Sequence, residues 1–373
     1  MGWKLIEMKR KAFILVVLIL GVVLTQRCQD DDVNPEPLPE PHTTTPYDFT
    51  IPEGFPQPIF PDDNRLTVEG VKLGRHLFYE KGLSRDGTQA CGSCHLQQRA
   101  FTDVTGTSTG ITGAQGTRKA MALFNLAWQD FFFWDGRAAT LEEQALLPIV
   151  NPIEMDNTLK GAVNAIKDDT LYQRLFKEAF GSKEVTPNRI AKAIAQFERT
   201  IISANSKYDR VKLMRNGEQF TPSEERGFQM FISEEADCFH CHGPKETGQL
   251  FGSFGKDLQF VNNGLKAEYS SDEGLAEITG ERSDIGKFKI PSVRNVEFSF
   301  PYMHDGSIPT LDSLVGFYNF GGHKHFNVDP NMKKAGEGRN WTVGQRNDLE
   351  AFLRTLTDFT FLQDSAYSNP FED

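Results

Sequence analysis

The sequence predicts a mainly helical protein with long loops, built from two similar modules, and three observations carry that prediction. Helix-start signals recur along the body, a five-residue C-x-x-C-H pattern occurs twice about a domain's length apart, and no run of alternating strands stands out. The 373 residues suffice for about two domains of ordinary size, each able to bury its own core.

At the N-terminus, Lys4, Lys9, Arg10 and Lys11 precede the apolar run AFILVVLILGVVL. That run is shorter than the roughly 20 residues of a spanning helix and has the length of a secretory h-region, so residues 1–27 read as a signal peptide. Cys28, the only cysteine outside a two-cysteine cluster, resembles the lipidated cysteine of bacterial lipoproteins, although Thr25, Gln26 and Arg27 depart from the small residues usually cut there. A lipid anchor through Cys28 and cleavage elsewhere both stay open. The start MGWKLI lacks the Ser or Thr that N-myristoylation requires. Residues 28–60 are rich in Pro and acidic residues and predict an extended linker. The body then divides into residues 61–208 and 209–373.

Within the body, Thr186-Pro187 marks a helix start, and Ile190, Ile194, Phe197 and Ile201 follow on one face. Thr140 with Glu143, Thr221 with Glu224, and Thr342 with Gln345 fit the capping box, in which each side chain satisfies an orphan backbone donor. Leu349, Phe352, Leu353 and Leu356 form the buried stripe after the last of these. A net charge of -11 and a pI near 5.3 leave no excess of cations for phosphates and argue against nucleic-acid binding. An acidic surface suits a basic redox partner.

The chemistry lies in Cys91-Gly-Ser-Cys94-His95 and Cys238-Phe-His-Cys241-His242. Four-cysteine zinc sites bring their pairs within roughly 15 to 20 residues, far closer than these. A thioredoxin-like disulfide needs a βαβ context and leaves the following histidines unexplained. In C-x-x-C-H the thiols add to haem vinyl groups and the adjacent His ligates the iron, which accounts for all six residues. Two covalently bound c-type haems are therefore expected, with His240 a bystander exposed at the surface.

The ordered series LGRHLFYEKGLSRDGTQACGSCH, FWDGRAATLEEQALLPIVNPIEM, QFERTIISANSKYDR, KIPSVRNVEFSFPYMHDGSIPTLDSLVGFYNFGG and DLEAFLRTLTD resembles the bacterial dihaem cytochrome c peroxidases and their MauG-like relatives over about 300 residues. The resemblance implies two cytochrome c-like domains with the haems near their interface. It assigns the peroxide-binding haem to His95 and the electron-transfer haem to His242. It implies that Trp134 is an electron relay between the haems, Glu154 the distal acid and Gln144 the neighbouring distal amide. Heterolysis of peroxide independently asks for one carboxylate that takes a proton from one oxygen and returns it to the other.

Three departures matter. Members of the family carry a histidine that blocks the peroxide haem, but none of the eight histidines falls between His95 and His240, so an open, high-spin site is expected. The position that carries an axial Met in many members is Tyr318, as in MauG-like proteins; an anionic phenolate favours ferric iron and lowers the potential. Leu311, Leu314, Val315 and Tyr318 share a helical face, so Tyr318 also fits a core role, and Met303, His323 and His325 are the other candidate ligands. Calcium, which the family often binds between the haems, is opposed by Lys119 in the RKAM stretch.

The expected activity is an exported peroxidase reducing hydrogen peroxide with electrons from a small cytochrome or cupredoxin-type donor. The alternatives are a MauG-like oxidant of a partner protein and a dihaem electron carrier or redox sensor. The expected location is the periplasm or an outer-membrane anchor, and the resemblance implies a homodimer.

Overall fold

The computed structural model describes residues 42–243 and 259–372. The signal peptide and Cys28 lie outside the described residues. The chain from Thr43 on forms one compact unit. It is helical: α1 (Val68–Tyr79), α2 (Cys91–Cys94), α3 (Leu141–Val150), α4 (Leu159–Ile166), α5 (Thr170–Phe180), α6 (Pro187–Thr200), α7 (Lys207–Lys212), α8 (Pro222–Phe231), α9 (Phe239–His242), α10 (Ala276–Thr279), α11 (Leu311–Phe320), α12 (Val343–Arg354) and α13 (Phe359–Gln363). One antiparallel pair joins β1 (Phe260–Val261) to β2 (Phe288–Lys289). No described helix is long and apolar enough to cross a membrane.

Helix α6 starts where the sequence says, with the Thr186 side chain accepting from the Arg189 N–H and Pro187 in the first turn. Its burial is wider than one stripe, because α1 and α3 pack on it from different sides and also cover Gln196, Glu198 and Arg199. The capping boxes at Thr221 and Thr342 are complete. At Thr140 only half the box forms: Thr140 accepts from the Glu143 N–H, while the Glu143 carboxylate takes the Ala139 N–H one residue upstream of the expected donor.

The same close helix pair is built twice. A Cβ on Gly74 of α1 would lie 1.9 Å from the Ala193 carbonyl oxygen of α6, and one on Gly227 of α8 would lie 1.9 Å from that of Asp348 of α12. Only glycine lets the backbones approach so closely. One core gathers around Leu73, Leu77, Phe176 and Ile194, the other around Phe228, Phe231, Leu349 and Phe352. The expected boundary at 208/209 lies inside α7, and the crossing chain before it is tied down on both sides. Asn125 Nδ2 donates to Ser203 O at 3.0 Å, and the Asp358 carboxylate accepts the N–H groups of Ala204 and Asn205. Arg294 and Asp209 form a fully buried ion pair beneath it.

Within the segment expected as an extended linker to residue 60, the described residues from Pro46 on pack against the body. Pro46 bridges to Thr67, and Phe49, Phe55 and Phe60 pack against Trp128, whose indole N–H donates to Pro56 O at 2.7 Å. These aromatic rings bury apolar surface that the Pro and acidic composition obscured.

Candidate functional site

Each C-x-x-C-H motif is a single helical turn ending on its histidine. In the first, the His95 N–H donates to Cys91 O at 3.0 Å, and the chain then reverses through Ala100 and Phe101, both in left-handed conformation. The reversal brings Phe101 O within 2.8 Å of His95 Nδ1. In the second, the His242 N–H donates to Cys238 O at 2.8 Å, and His242 Nδ1 lies 3.0 Å from Pro291 O. A carbonyl partner makes Nδ1 the donor in each ring and leaves the Nε2 lone pair for a ligand. Burial holds both imidazoles neutral, pushing His95 below its ordinary value and His242 down to about 4. The four cysteines of the two motifs are free thiols. His240 is half-buried rather than exposed, and its Nε2 sits 3.2 Å from Glu234 Oε1.

A cavity of about 690 Å³ opens beside the first motif, lined by Cys91, Cys94, His95, Arg137, Gln144 and Glu154 among others. Gln144 projects from α3, and its Oε1 is buried without a hydrogen-bond partner. Glu154 stands in the turn after α3, where Asn151 Nδ2 donates to its Oε1 at 2.8 Å. Burial raises the Glu154 carboxyl above its ordinary range, opposed by Arg137 and by the Asn151 bond. Among the described residues no second histidine lines this cavity. Glu198 of α6 also lines it, 2 % exposed, with Oε2 unpartnered and the carboxyl pushed up to about 8 by burial.

The second cavity, about 190 Å³, is lined by Cys238, Cys241, His242, Met303, Leu314 and Tyr318 with a largely apolar surround. Burial raises the Tyr318 phenol well above its ordinary value, and a hydrogen bond with Asn263 opposes this. Of the four candidate ligands, Tyr318 and Met303 reach the cavity. His323 and His325 do not line it; His325 is engaged by Asn262 and Asn327.

The two cavities share a wall containing Lys119, Trp134 and Lys289. The Trp134 indole N–H donates to Lys119 O at 2.9 Å, and the Lys289 N–H donates to Trp134 O at 2.7 Å. The Lys119 ammonium is bonded to Asp103 O at 2.9 Å. His304 abuts Trp134 edge to face at 6.5 Å and stacks on Phe288 at 3.6 Å, with its Nε2 unpartnered. The structure thus places Cys91, Cys94, His95, Gln144 and Glu154 around the first cavity, Cys238, Cys241, His242 and Tyr318 around the second, and Trp134 in the wall of both, while His323 and His325 line neither. Glu198, Lys289 and His304 were not singled out, since a charge inside an amphipathic run gives no sign that it will be buried.

The donor sets fit haem twice over: two thiols three residues apart on one turn, a neutral imidazole with Nε2 free, and a cavity beside them. The larger volume lies in the range of cofactor sites, roughly 300–1,000 Å³. A family model described as "Di-haem cytochrome c peroxidase" matches residues 68–218. The cytochrome c551 peroxidase of Nitrosomonas europaea is 34% identical over 288 residues, covering 77% of this chain and 79% of that protein. The methylamine utilization protein MauG of Methylorubrum extorquens is 34% identical over 309 residues, 83% of each. Among solved structures, a MauG-like protein associated with microbial copper homeostasis superposes with a TM-score of 0.76 at 36% identity, over 87% of this chain and 99% of that one. Sequence motifs, paired cavities and relatives agree: the chain belongs to the di-haem cytochrome c peroxidase family, which includes both the peroxidases and MauG.

Proposed function

We propose that this protein is an exported peroxidase that reduces hydrogen peroxide to water at the His95 cavity. The observation that carries the reading is the pairing there of a neutral imidazole with a carboxylate of raised affinity for protons, Glu154, beside an unpartnered amide oxygen on Gln144. Cys91, Cys94 and His95 would hold one haem and Cys238, Cys241 and His242 the other, each by two thioether links and an imidazole. When bound, haem supplies iron that takes up peroxide and stores oxidising equivalents.

The protein's own part is proton handling and spacing. Glu154 in its ionised form accepts a proton from one peroxide oxygen and returns it to the other, so that the O–O bond breaks with water as leaving group. Two electrons and two protons complete the reduction of one peroxide to two waters. Trp134, in the common wall, is the path for electrons arriving from the His242 side. The lining of that second cavity is largely apolar, and its Asp237 carboxylate is held by Lys333 and Arg339. The small donor would be a cytochrome or cupredoxin-type protein suited to an acidic surface. The basic and apolar N-terminal segment supports export to the periplasm, with an outer-membrane anchor through Cys28 depending on lipidation.

A second reading draws on Tyr318. A phenolate ligand at the second haem would favour high oxidation states and a MauG-like oxidant acting on side chains of a partner protein. One equivalent of peroxide added to the fully oxidised protein, with and without a reduced donor, separates the readings. Rapid donor oxidation is expected for the peroxidase. A long-lived oxidised spectrum with slow donor turnover selects the MauG-like oxidant, and no spectral change overturns both. Tyr318→Phe is expected to alter the spectrum of one haem only; an unchanged spectrum removes Tyr318 as a ligand.

A further inference from the structure

Two ammonium groups are buried in the wall between the cavities without an anion. Lys119 and Lys289 are each 6% exposed, and each lines both cavities. Lys119 Nζ donates to Asp103 O, and Lys289 Nζ donates to Phe131 O at 3.0 Å and to Gln129 Oε1 at 2.5 Å, all neutral acceptors. The Asp103 carboxylate itself is taken by the N–H and hydroxyl of Thr105. Among the described residues, neither lysine has a carboxylate within ion-pair distance.

The arginines of the first cavity are different. Arg118 is paired with Asp135, Asp272 and Glu277, and Arg137 shares Asp135. Burying a charge is costly unless an opposite charge joins it. Without one, burial pushes Lys119 down to about 8 and Lys289 to about 7.

We propose that Lys119 and Lys289 are the seats for the carboxylate groups of the two cofactors, each ammonium pairing with a propionate of haem. The inference rests on both cavities holding haem, and it names positioning residues rather than catalytic ones. Paired this way, the lysines keep positive charge beside the irons, which favours the reduced state. It also explains why cations stand on both sides of Trp134 without repelling occupation of either cavity.

The test is a spectroelectrochemical titration of each haem in the full-length holoprotein, comparing Lys119→Met, Lys289→Met and the charge-keeping Lys119→Arg and Lys289→Arg. Lys192→Met, which removes a surface lysine paired with Asp63, is the control. Each Met variant is expected to lower the midpoint potential of at least one haem. The expected size is a tenfold smaller reduced-to-oxidised ratio at fixed applied potential, about 59 mV for one electron. The Arg variants and the control are expected to stay near the native values. Unchanged potentials in both Met variants with full haem content overturn the proposal. Should the Met variants fail to fold, a crystal structure of the native holoprotein decides: a propionate oxygen within about 4 Å of each ammonium supports it, and its absence overturns it. A haem mass count below two overturns the underlying haem reading instead, before either lysine is tested.

Discussion

The stretch from Phe132 to Val150 and the stretch from Tyr302 to Phe320 are one backbone device used twice. Phe132 bridges to Ala138 as Tyr302 bridges to Ile308, Phe133 and Met303 both take a left-handed conformation, and Gly136 and Gly306 follow each at the same distance. Thr140 and Thr310 then cap helices of 10 residues, α3 and α11. The side chains set on that device diverge. Where the first copy has Trp134, Gln144 and Pro148, the second has His304, Leu314 and Tyr318, and each set lines its own copy's cavity. One turn of α3 therefore offers an amide and a proline that cannot ligate, while the matching turn of α11 offers an aliphatic group and a phenol. Polarity and ligand capacity were exchanged between the sites without altering the frame.

The comparison breaks first at Glu154, which brings a buried carboxyl to the first cavity. Glu154→Gln is expected to lower kcat/KM for peroxide about 100- to 10,000-fold with both haems retained. Steady-state kinetics together with a haem stain check this, and near-native turnover would show that the two cavities do not differ in proton handling. Because burial raises the Glu154 carboxyl and its ionised form is the one that works, the acid limb of the native pH profile should lie above the ordinary carboxylate range and vanish in this variant.

The next test addresses the shared frame. Gly74→Ala and Gly227→Ala each force a methyl group into a backbone carbonyl, and each should cost about 1–3 kcal/mol in denaturant unfolding. Similar losses sharpen the equivalence of the two helix pairs; a large loss at one alone would mark that copy as the more rigid.

The last test concerns Glu198. Its folded value of about 8 lies above the ordinary 4.5, so its neutral form contributes fully only below pH 4.5, and that contribution is lost as pH rises to 8. The unfolded chain releases this proton first. Glu198→Gln should flatten the decline in stability between about pH 5 and pH 8, measured by thermal unfolding at both pH values. An unchanged decline would mean that the carboxyl finds a partner in the loaded cavity.

Local chemistry was legible in the residues, and tertiary burial was not. Both C-x-x-C-H turns and the caps at Thr186, Thr221 and Thr342 follow from signals within a few residues of each position, whereas Glu154, Gln144, Trp134 and Tyr318, which line the cavities, were singled out through the family resemblance. The half-formed box at Thr140 depends on which of two neighbouring N–H groups faces the Glu143 carboxylate, a matter of loop path. The packing of Phe49, Phe55 and Phe60 on Trp128 depends on a distant indole. The duplicated D-G and T-L pairs of WDGRAATL and HDGSIPTL lie open in the sequence, yet their equivalence shows only once the bridges and caps are seen to match.

The shared wall has a consequence for anyone retuning this molecule. Lys119, Trp134 and Lys289 belong to both compartments, so a substitution at any of them is a change to two circuits at once and its effects cannot be apportioned by inspecting one. Positions 148 and 318 are private, each facing a single compartment from the same place on its helix. Independent adjustment, by selection or by design, is available there, and the common wall is where the two must be retuned as a pair.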